Sequence, residues 1–245
     1  MFEAIVNGRS VWAILDNGAG NTIIDTGLAR ELNLQVESAT GTIRTTHSQT
    51  EKSTVNGVRL EVPGQFKIAG NFVGADLAAI SEVAGKEVGL ILGSDILSNL
   101  SYLVDAKNKR MIFVLAGGMN PRSPSVTVIH LSNGVLEGTL NGSPARFQVD
   151  LGSNSPLLVL RDSWKKYFEM SDTTTVSRSI DLSGTIVERV VVEDVAVSFS
   201  GIDATLDARQ ISSSRDGVDG FLGFPVFHDR VVIFDYRNDR IFILD

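Results

Sequence analysis

The sequence predicts an all-β protein built from two related lobes, with a few short helices. Short runs rich in β-branched residues are separated by turn signals, and the chain contains 23 glycines, a pattern typical of strands joined by tight turns. The chain also repeats itself. The stretch "NGRSVWAILDNGAGNTII" (Asn7–Ile24) resembles "NGSPARFQVDLGSNSPLL" (Asn141–Leu158). Such self-similarity indicates a duplicated structural unit.

The predicted strands follow the apolar runs in chain order. They are Ala4–Val6, Val11–Leu15, Val58–Val62, Met111–Val114, Ala145–Val149, Ile186–Phe199, Val231–Phe234 and Ile241–Leu244. Two short helices are predicted between them. Thr26–Leu32 places Leu28 and Leu32 at helical spacing, and Asp162–Tyr167 begins with an aspartate suited to an N-cap.

The ends of the two halves match as well. The stretch "GLILGSDILSNLSYLVDAKNKRMIFV" (Gly89–Val114) aligns with "GFLGFPVFHDRVVIFDYRNDRIFIL" (Gly220–Leu244). Between the halves, Ala116–Ser125 is rich in Gly, Pro and Ser, which is typical of a linker. We therefore predict an amino-terminal lobe at residues 1–118, a linker at 119–128 and a carboxy-terminal lobe at 129–245.

Composition narrows the classes of function. Apolar residues make up 43% of the 245 residues and charged residues 21%, as in a globular protein with a substantial core. A net charge of −7 argues against nucleic acid or an anionic membrane as a partner. The absence of cysteine excludes disulfides, thiolate metal sites and a cysteine nucleophile. No apolar stretch approaches the roughly 20 residues that span a bilayer.

Neither a metal, a cofactor nor a compartment is indicated. His47, His130 and His228 lack the paired spacing of metal ligands. The start, Met-Phe-Glu-Ala, lacks the pattern of a signal peptide. Two interpretations therefore stay open: a cytoplasmic chain, or an exported or periplasmic chain whose signal segment has been removed.

Each half carries one aspartate at the end of an apolar strand, followed by a glycine turn. Asp16 and Asp150 are 134 residues apart, as are Asn7 and Asn141. Duplicated lobes tend to pack about a twofold axis, so we expect the two carboxylates to face each other. Carboxylates about 3 Å apart share one proton. The ionised one can then activate a water molecule while the protonated one donates to a carbonyl oxygen.

A second motif follows in each half: Ile91-Leu92-Gly93 and Phe221-Leu222-Gly223. With the two Asp-x-Gly turns, these residues resemble the retropepsin-like aspartic proteases, in the duplicated, single-chain, two-lobed form of bacterial members. The resemblance implies a pepsin-like fold in which the second motif threads beside the acid loop in a ψ-shaped arrangement. It also implies an aspartic endopeptidase with catalytic Asp16 and Asp150, a peptide or protein substrate, no cofactor and a monomeric state.

The residues around the two acids depart from the family pattern at one place. The first loop continues as Asn17, Gly18 and Ala19. The second continues as Leu151, Gly152 and Ser153. Family members carry Thr or Ser directly after the aspartate, where the hydroxyl binds the opposite loop. Asn can donate and accept hydrogen bonds there, whereas the Leu side chain cannot. The alternative is thus a catalytically degenerate relative that binds peptides or a partner protein in the cleft.

Two hairpins are candidates for flaps over a bound peptide. They span Ser38–Leu60 and Ser171–Val190, and both are rich in Thr and Ser. Asn56-Gly57 predicts a turn in the first of them. An ordinary solvent-exposed hairpin is the other interpretation of each segment, and the residues do not show which hairpin acts as a flap.

Overall fold

The computed structural model describes residues 1–44, 49–123, 125–169, 175–180, 184–213 and 215–244. Strands make up 57% of it and helices 13%. The predicted all-β, duplicated fold is confirmed. Parts of both candidate flaps and of the linker, at residues 45–48, 124, 171–174 and 181–183, lie outside the described residues.

Nineteen strands and four short helices are described. In the first half the strands are β1 (Phe2–Val6), β2 (Arg9–Leu15), β3 (Ile23–Asp25), β4 (Val36–Arg44), β5 (Gln49–Val62), β6 (Phe66–Ala75), β7 (Val88–Leu92), β8 (Leu100–Asp105) and β9 (Arg110–Leu115). In the second half they are β10 (Val126–His130), β11 (Leu136–Leu140), β12 (Ser143–Asp150), β13 (Leu157–Leu160), β14 (Thr175–Ile180), β15 (Ile186–Phe199), β16 (Ile202–Ile211), β17 (Gly220–Gly223), β18 (Val231–Asp235) and β19 (Arg240–Leu244). The helices are α1 (Thr26–Glu31), α2 (Ala78–Ala84), α3 (Ser94–Leu97) and α4 (Arg161–Tyr167).

Each half of the chain closes a six-stranded barrel. The first sheet runs β1-β2-β7-β3-β6-β5-β4, and the pairing of β1 with β5 closes it. The second runs β11-β12-β17-β13-β16-β15-β14, and β11 pairs with β15 in the same way. The strand left outside each barrel, β4 or β14, forms a hairpin with the long strand that follows it. The two sheets therefore repeat one topology, as the duplicated sequence predicts.

A third sheet pairs the ends of the two repeats. Its order is β10-β19-β18-β8-β9, and β8 runs antiparallel to β18 with Leu103 opposite Ile233. These two residues are 130 positions apart, the same separation as Gly93 and Gly223, so they are equivalent in the repeat. A residue that pairs with its own equivalent marks a local twofold axis in this sheet.

By compactness, the chain divides into two units. The first comprises residues 1–97 and 180–187, and the second comprises residues 98–179 and 188–245. The third sheet lies wholly in the second unit. The lobe boundaries inferred from the sequence, at 118 and 129, stay a prediction.

The interior of each barrel is apolar. Ile24, Leu60 and Leu90 are at most 1% exposed in the first barrel, and Phe147 and Leu222 are fully buried in the second. Burial of one such side chain contributes about 1.5–3 kcal/mol. Among the described residues, no helix is both long and apolar enough to cross a membrane.

A charged side chain of one helix contacts each barrel, and it is acidic in the first barrel and basic in the second. In the first barrel, Arg9 of β2 binds Glu31 of α1 and lies 3.1 Å from Glu87, just before β7. In the second, Lys166 of α4 donates to the carbonyl of Pro144 at 3.0 Å and lies 3.5 Å from Asp219, just before β17. The helix therefore contributes the acid in the first barrel and the base in the second, while the residue before β7 or β17 is acidic in both.

Two local predictions were wrong, and one helix was missed. Asn56-Gly57 forms a bulge inside β5, with Gly57 at a φ of 71°, and not a hairpin turn. Helix α4 begins at Arg161 with Leu160 as its N-cap, so Asp162 lies in the first turn. Helix α2 was not predicted from the sequence at all.

Candidate active site

The first acid loop leaves β2 at Asp16. The amide of Asp16 donates to the carbonyl of Leu92 at 3.0 Å, which ties the loop to β7. The amides of Gly18 and Ala19 each donate to the Oδ1 atom of Asp16 at 2.9 Å. The half-buried carboxylate is therefore oriented by its own loop, because two backbone donors fix one of its oxygens.

The second acid loop leaves β12 at Asp150. The amide of Gly152 donates to the Oδ1 atom of Asp150 at 3.0 Å, in the same manner as Gly18 in the first loop. The amide of Ser153 instead donates to the carbonyl of Asp150 at 3.2 Å. The hydroxyl of Ser153 donates to the carbonyl of Ser155 at 3.3 Å and accepts from its amide at 3.2 Å. The two loops share a plan but differ in detail.

The second motif lies on the central strand of each barrel. Strand β7 runs parallel to β2 and antiparallel to β3, so Ile91 is paired with both Ile14 and Ile23. Leu92 lies beside Leu15. The strand that carries the motif thus passes between the two strands that flank the first acid loop.

Strand β17 has the same position in the second barrel. Phe221 is paired with Gln148 of β12 and Leu158 of β13, while Leu222 lies beside Val149. Gly223 lies directly beside Asp150. In both barrels, the strand that carries the second motif therefore lies between the two strands that flank the acid loop.

The glycines of this motif are required by close approach of the backbone. A Cβ atom at Gly93 would overlap the carbonyl group of Asn21, and one at Gly223 would overlap the carbonyl oxygen of Ser155. Any side chain there would push the acid loop away from the central strand. Each glycine therefore sets the distance between the loop and the strand.

The acid loops differ by one residue in length. Ile23 lies opposite Ile91, whereas Leu158 lies opposite Phe221. Ile91 and Phe221 are equivalent in the repeat, so their partners Ile23 and Leu158 are equivalent too. Ile23 and Leu158 are 135 residues apart, whereas the two aspartates are 134 apart. The second loop is therefore one residue longer. The ungapped comparison of the two sequences does not reveal this difference.

The positions after the two aspartates are unequal. Leu151 is buried, with 7% of its surface exposed, and Asn17 is half-buried. Both positions hold Thr or Ser in the family that the sequence resembles. At Leu151 the side chain contributes apolar packing and no hydroxyl.

A polar network that the sequence did not predict supports the first loop. Thr22 is fully buried. Its amide and its hydroxyl both donate to the Oδ1 atom of Asp95, at 2.8 and 2.7 Å. The Thr22 hydroxyl in turn accepts a hydrogen bond from the amide of Gly93 at 3.0 Å. In the second barrel the amide of Gly223 donates to the carbonyl of Pro156 at 3.0 Å instead.

Replacement of Thr22 by Val tests this network. The variant keeps the shape of the side chain but leaves the amide of Gly93 without its acceptor and Asp95 with one donor fewer. We expect the free energy of unfolding to fall by about 1–3 kcal/mol, measured by urea denaturation. The control is Thr22→Ser, which keeps the hydroxyl and should lose less. An equal loss in both variants would contradict the assigned role of the hydroxyl.

A comparison with known families identifies the first half of the chain. Residues 2–96 match the family model described as "Aspartyl protease". This part of the chain is therefore similar to that family. The matched region contains the acid loop at Asp16 and the central strand β7. No curated protein matches the chain.

The second barrel lies outside the matched residues. Its likeness to the first barrel rests on topology: the strand order repeats, and so does the passage of the central strand between the flanking strands. Within the described part of the chain, no three His, Asp or Glu side chains are grouped closely enough to hold a metal ion.

Proposed function

We propose that the protein is an aspartic endopeptidase in which Asp16 and Asp150 form a catalytic dyad. The family of residues 2–96 supports a general aspartic protease function. One observation supports a dyad of two acids. Each barrel holds an aspartate in an equivalent loop, beside a central strand that is followed by or ends in a glycine. A duplicated enzyme then supplies both carboxylates from a single chain, and a monomer suffices.

The proposed reaction uses the two carboxylates as base and acid. The ionised carboxylate removes a proton from a water molecule, and the water oxygen attacks the carbonyl carbon of the peptide bond. The protonated carboxyl donates its proton to the carbonyl oxygen, which stabilises the tetrahedral intermediate. Collapse of the intermediate breaks the C–N bond as a proton passes to the amine nitrogen, and the dyad returns to its singly protonated state.

The proposed substrate is an extended peptide. Such a chain adds main-chain hydrogen bonds to a strand edge and places alternate side chains in pockets. The hairpins β4–β5 and β14–β15 offer such edges, and we assign them the role of covering the bound peptide.

Hydrolysis of a denatured protein between pH 3 and 8 tests the proposal. We expect peptide products and inhibition by a statine-type compound, which imitates the tetrahedral intermediate. Products that form equally in the presence of the inhibitor would show a different mechanism or a contaminating protease.

A non-catalytic, peptide-binding relative is the second candidate, and buried Leu151 favours it. Replacing Asn17 and Leu151 together by Thr supplies the hydroxyls that the family pattern contains. Cleavage by this double variant and none by the natural protein, under the same conditions, would support the second candidate. Cleavage by the natural protein rules it out.

A further inference from the structure

One face of the second barrel carries Asp150 together with a row of paired residues. Side chains alternate along a strand, so Gln148 and Asp150 point to the same face of β12. Residues directly opposite one another on neighbouring strands share a face. Gln148 is paired with Phe221, and Phe221 with Leu158. The row therefore runs from the strand of the acid across β17 to β13.

The same row continues to an arginine. Leu158 is paired with Arg209 of β16, and Arg209 with Val191 of β15. We call the set of residues Gln148, Asp150, Phe221, Leu158, Arg209 and Val191 the Asp150 face, in which Leu158 and Val191 are buried and the other four are half-buried. At about 4.8 Å per strand, the Cα atom of Arg209 lies roughly 14 Å from that of Gln148.

The hairpin β14–β15 extends this face with polar residues. Arg178 and Glu188 form an ion pair at 3.2 Å, and both side chains are exposed, so they lie on one face of the hairpin. Because Glu188 is three residues from Val191 on β15, this face is opposite to the Asp150 face. Their neighbours Ser177 and Ser179 on β14 consequently point to the Asp150 side. The hydroxyls of both serines are buried and meet no hydrogen-bond partner among the described residues.

One hydrogen-bond donor of Arg209 lacks an acceptor in the described residues of the second barrel. Its Nη1 atom is buried and finds no acceptor within the part of the chain that the structure describes. A buried donor on a cation without an acceptor costs stability. Groups that break the rules of a stable fold in this way are expected at functional sites.

The first barrel shows that the fold does not need a cation there. Its equivalent row is Ile14, Ile91, Ile23 and Val73, so Val73 occupies the position of Arg209. Ile80 and Ala84 of α2 pack against this apolar row. No helix lies between β16 and β17 in the described residues of the second barrel, whereas α2 lies between β6 and β7 in the first. The two acid-bearing faces are therefore chemically different.

We propose that the Asp150 face is a substrate subsite in which Arg209 binds the carboxylate of a Glu or Asp side chain. The inference rests on the proposed function and names a substrate class for it, peptides that are acidic on one side of the cleaved bond. An extended peptide advances about 3.3–3.6 Å per residue. The roughly 14 Å between Arg209 and Gln148, on the strand that ends at Asp150, therefore corresponds to about four residues. The acidic residue thus falls within about four positions of the cleaved bond. Ser177 and Ser179 are available to donate to the same carboxylate.

Peptide binding tests the subsite separately from catalysis. The probes are acetylated and amidated peptides with a central apolar pair and a single Glu at one of the four positions on either side. Each is compared with the same peptide carrying Gln. Acetylation and amidation leave the side chain as the only carboxylate. Binding is measured by calorimetry on the Asp16→Asn variant, so that peptides stay intact.

At one position we expect the Glu peptide to bind roughly 10- to 100-fold more tightly than the Gln peptide, as for a hydrogen bond to a charged group. Arg209→Met should remove this preference, and Arg209→Glu should transfer it to Lys peptides. The matched control is Arg178→Met, an exposed arginine on the opposite face of the hairpin, which should keep the preference. Arg209→Met should also leave the melting temperature unchanged or raise it, because it removes an unsatisfied cation.

Each alternative outcome has a defined meaning. Equal binding of Glu and Gln peptides at every position, or no binding at all, overturns the subsite. A preference that survives Arg209→Met overturns it too, and a lower melting temperature in that variant then gives Arg209 a structural role. If selective binding is found and the natural protein cleaves no peptide, the proposed function fails while the subsite stands.

Discussion

Asn in place of either Asp16 or Asp150 is expected to lower kcat for peptide hydrolysis by about 10³-fold or more. General acid and base catalysis contributes about 10²–10⁴-fold, and Asn can neither take the proton from water nor hold a shared one. Because the dyad acts as a unit, the double variant should be little slower than either single variant. KM should change little, since the amide keeps the size of the side chain.

The control for these variants is Asp203→Asn, the same chemical change at an exposed aspartate of the second barrel. It should retain the full kcat, and all variants should share one melting temperature within a few degrees. A single variant that kept most of its activity would remove that aspartate from the mechanism. A loss of kcat together with unfolding would not count as a catalytic effect, so circular dichroism accompanies each assay.

The sequence predicted the fold well because its strongest signals were local and occurred twice. The runs that end at Asp16 and Asp150 became β2 and β12, and the motifs ending in Gly93 and Gly223 became the central strands. Apolar alternation and glycine turns depend on neighbouring residues only. A pattern found in both halves also carries more weight than either copy alone.

The features that were missed depend on pairings distant in sequence. Thr22 contacts Asp95 across 73 residues, and Arg209 joins the Asp150 face through three strand registers that no local pattern reveals. One signal was available for the first of these. The repeat holds Asp95 in the first copy where Pro225 stands in the second, which indicates a role confined to one barrel.

The prediction of a turn at Asn56-Gly57 was wrong for a different reason. The dipeptide favours positive φ, and Gly57 does adopt it, but within a bulge. The preference for positive φ is confirmed, but it occurs in a bulge and not in a hairpin turn. The dipeptide does not distinguish the two, because bulges and hairpin turns use the same backbone conformation.

Replacement of Asp235 by Ala is expected to lower the free energy of unfolding by about 3–5 kcal/mol, as when one partner of a buried ion pair is removed. Asp235 is fully buried at the end of β18. It accepts hydrogen bonds from Arg240 at 2.8 Å, Asn238 at 2.9 Å, Ser101 at 3.0 Å and the amide of Gly117 at 3.2 Å. Ser101 and Gly117 precede Asp235 by more than 100 residues, so this carboxylate links the two repeats within the third sheet. At about 2–4 °C per kcal/mol, the melting temperature should fall by roughly 6–20 °C.

Asp105→Ala is the matched control, because Asp105 is the equivalent residue of the first repeat. Its carboxylate accepts hydrogen bonds from the side chain of Asn108 at 2.8 Å and from the amide of Asn108 at 3.1 Å. Asn108 is only three residues away in the same repeat. The asymmetry follows from sequence: the partner of Asp105 in the register of the third sheet is Val231, which cannot donate as Ser101 does. The loss in Asp105→Ala should therefore be smaller, and an equal loss in both variants would contradict the importance of the link.

The effect of Asp235 should also depend on pH. Burial raises the pKa of this carboxyl, but the hydrogen bonds from Asn238, Arg240, Ser101 and Gly117 together lower it further, so the net pKa lies below its usual range. A carboxyl with a lowered pKa stabilises the folded state fully above the pKa of the unfolded chain, about 3.9. That stabilisation is lost as pH falls through the folded pKa. The difference in melting temperature between the natural protein and Asp235→Ala should therefore be constant between pH 5 and 7 and shrink below about pH 4. A difference that grows on acidification would mean that the neutral carboxyl, and not the ion pair with Arg240, carries the stability.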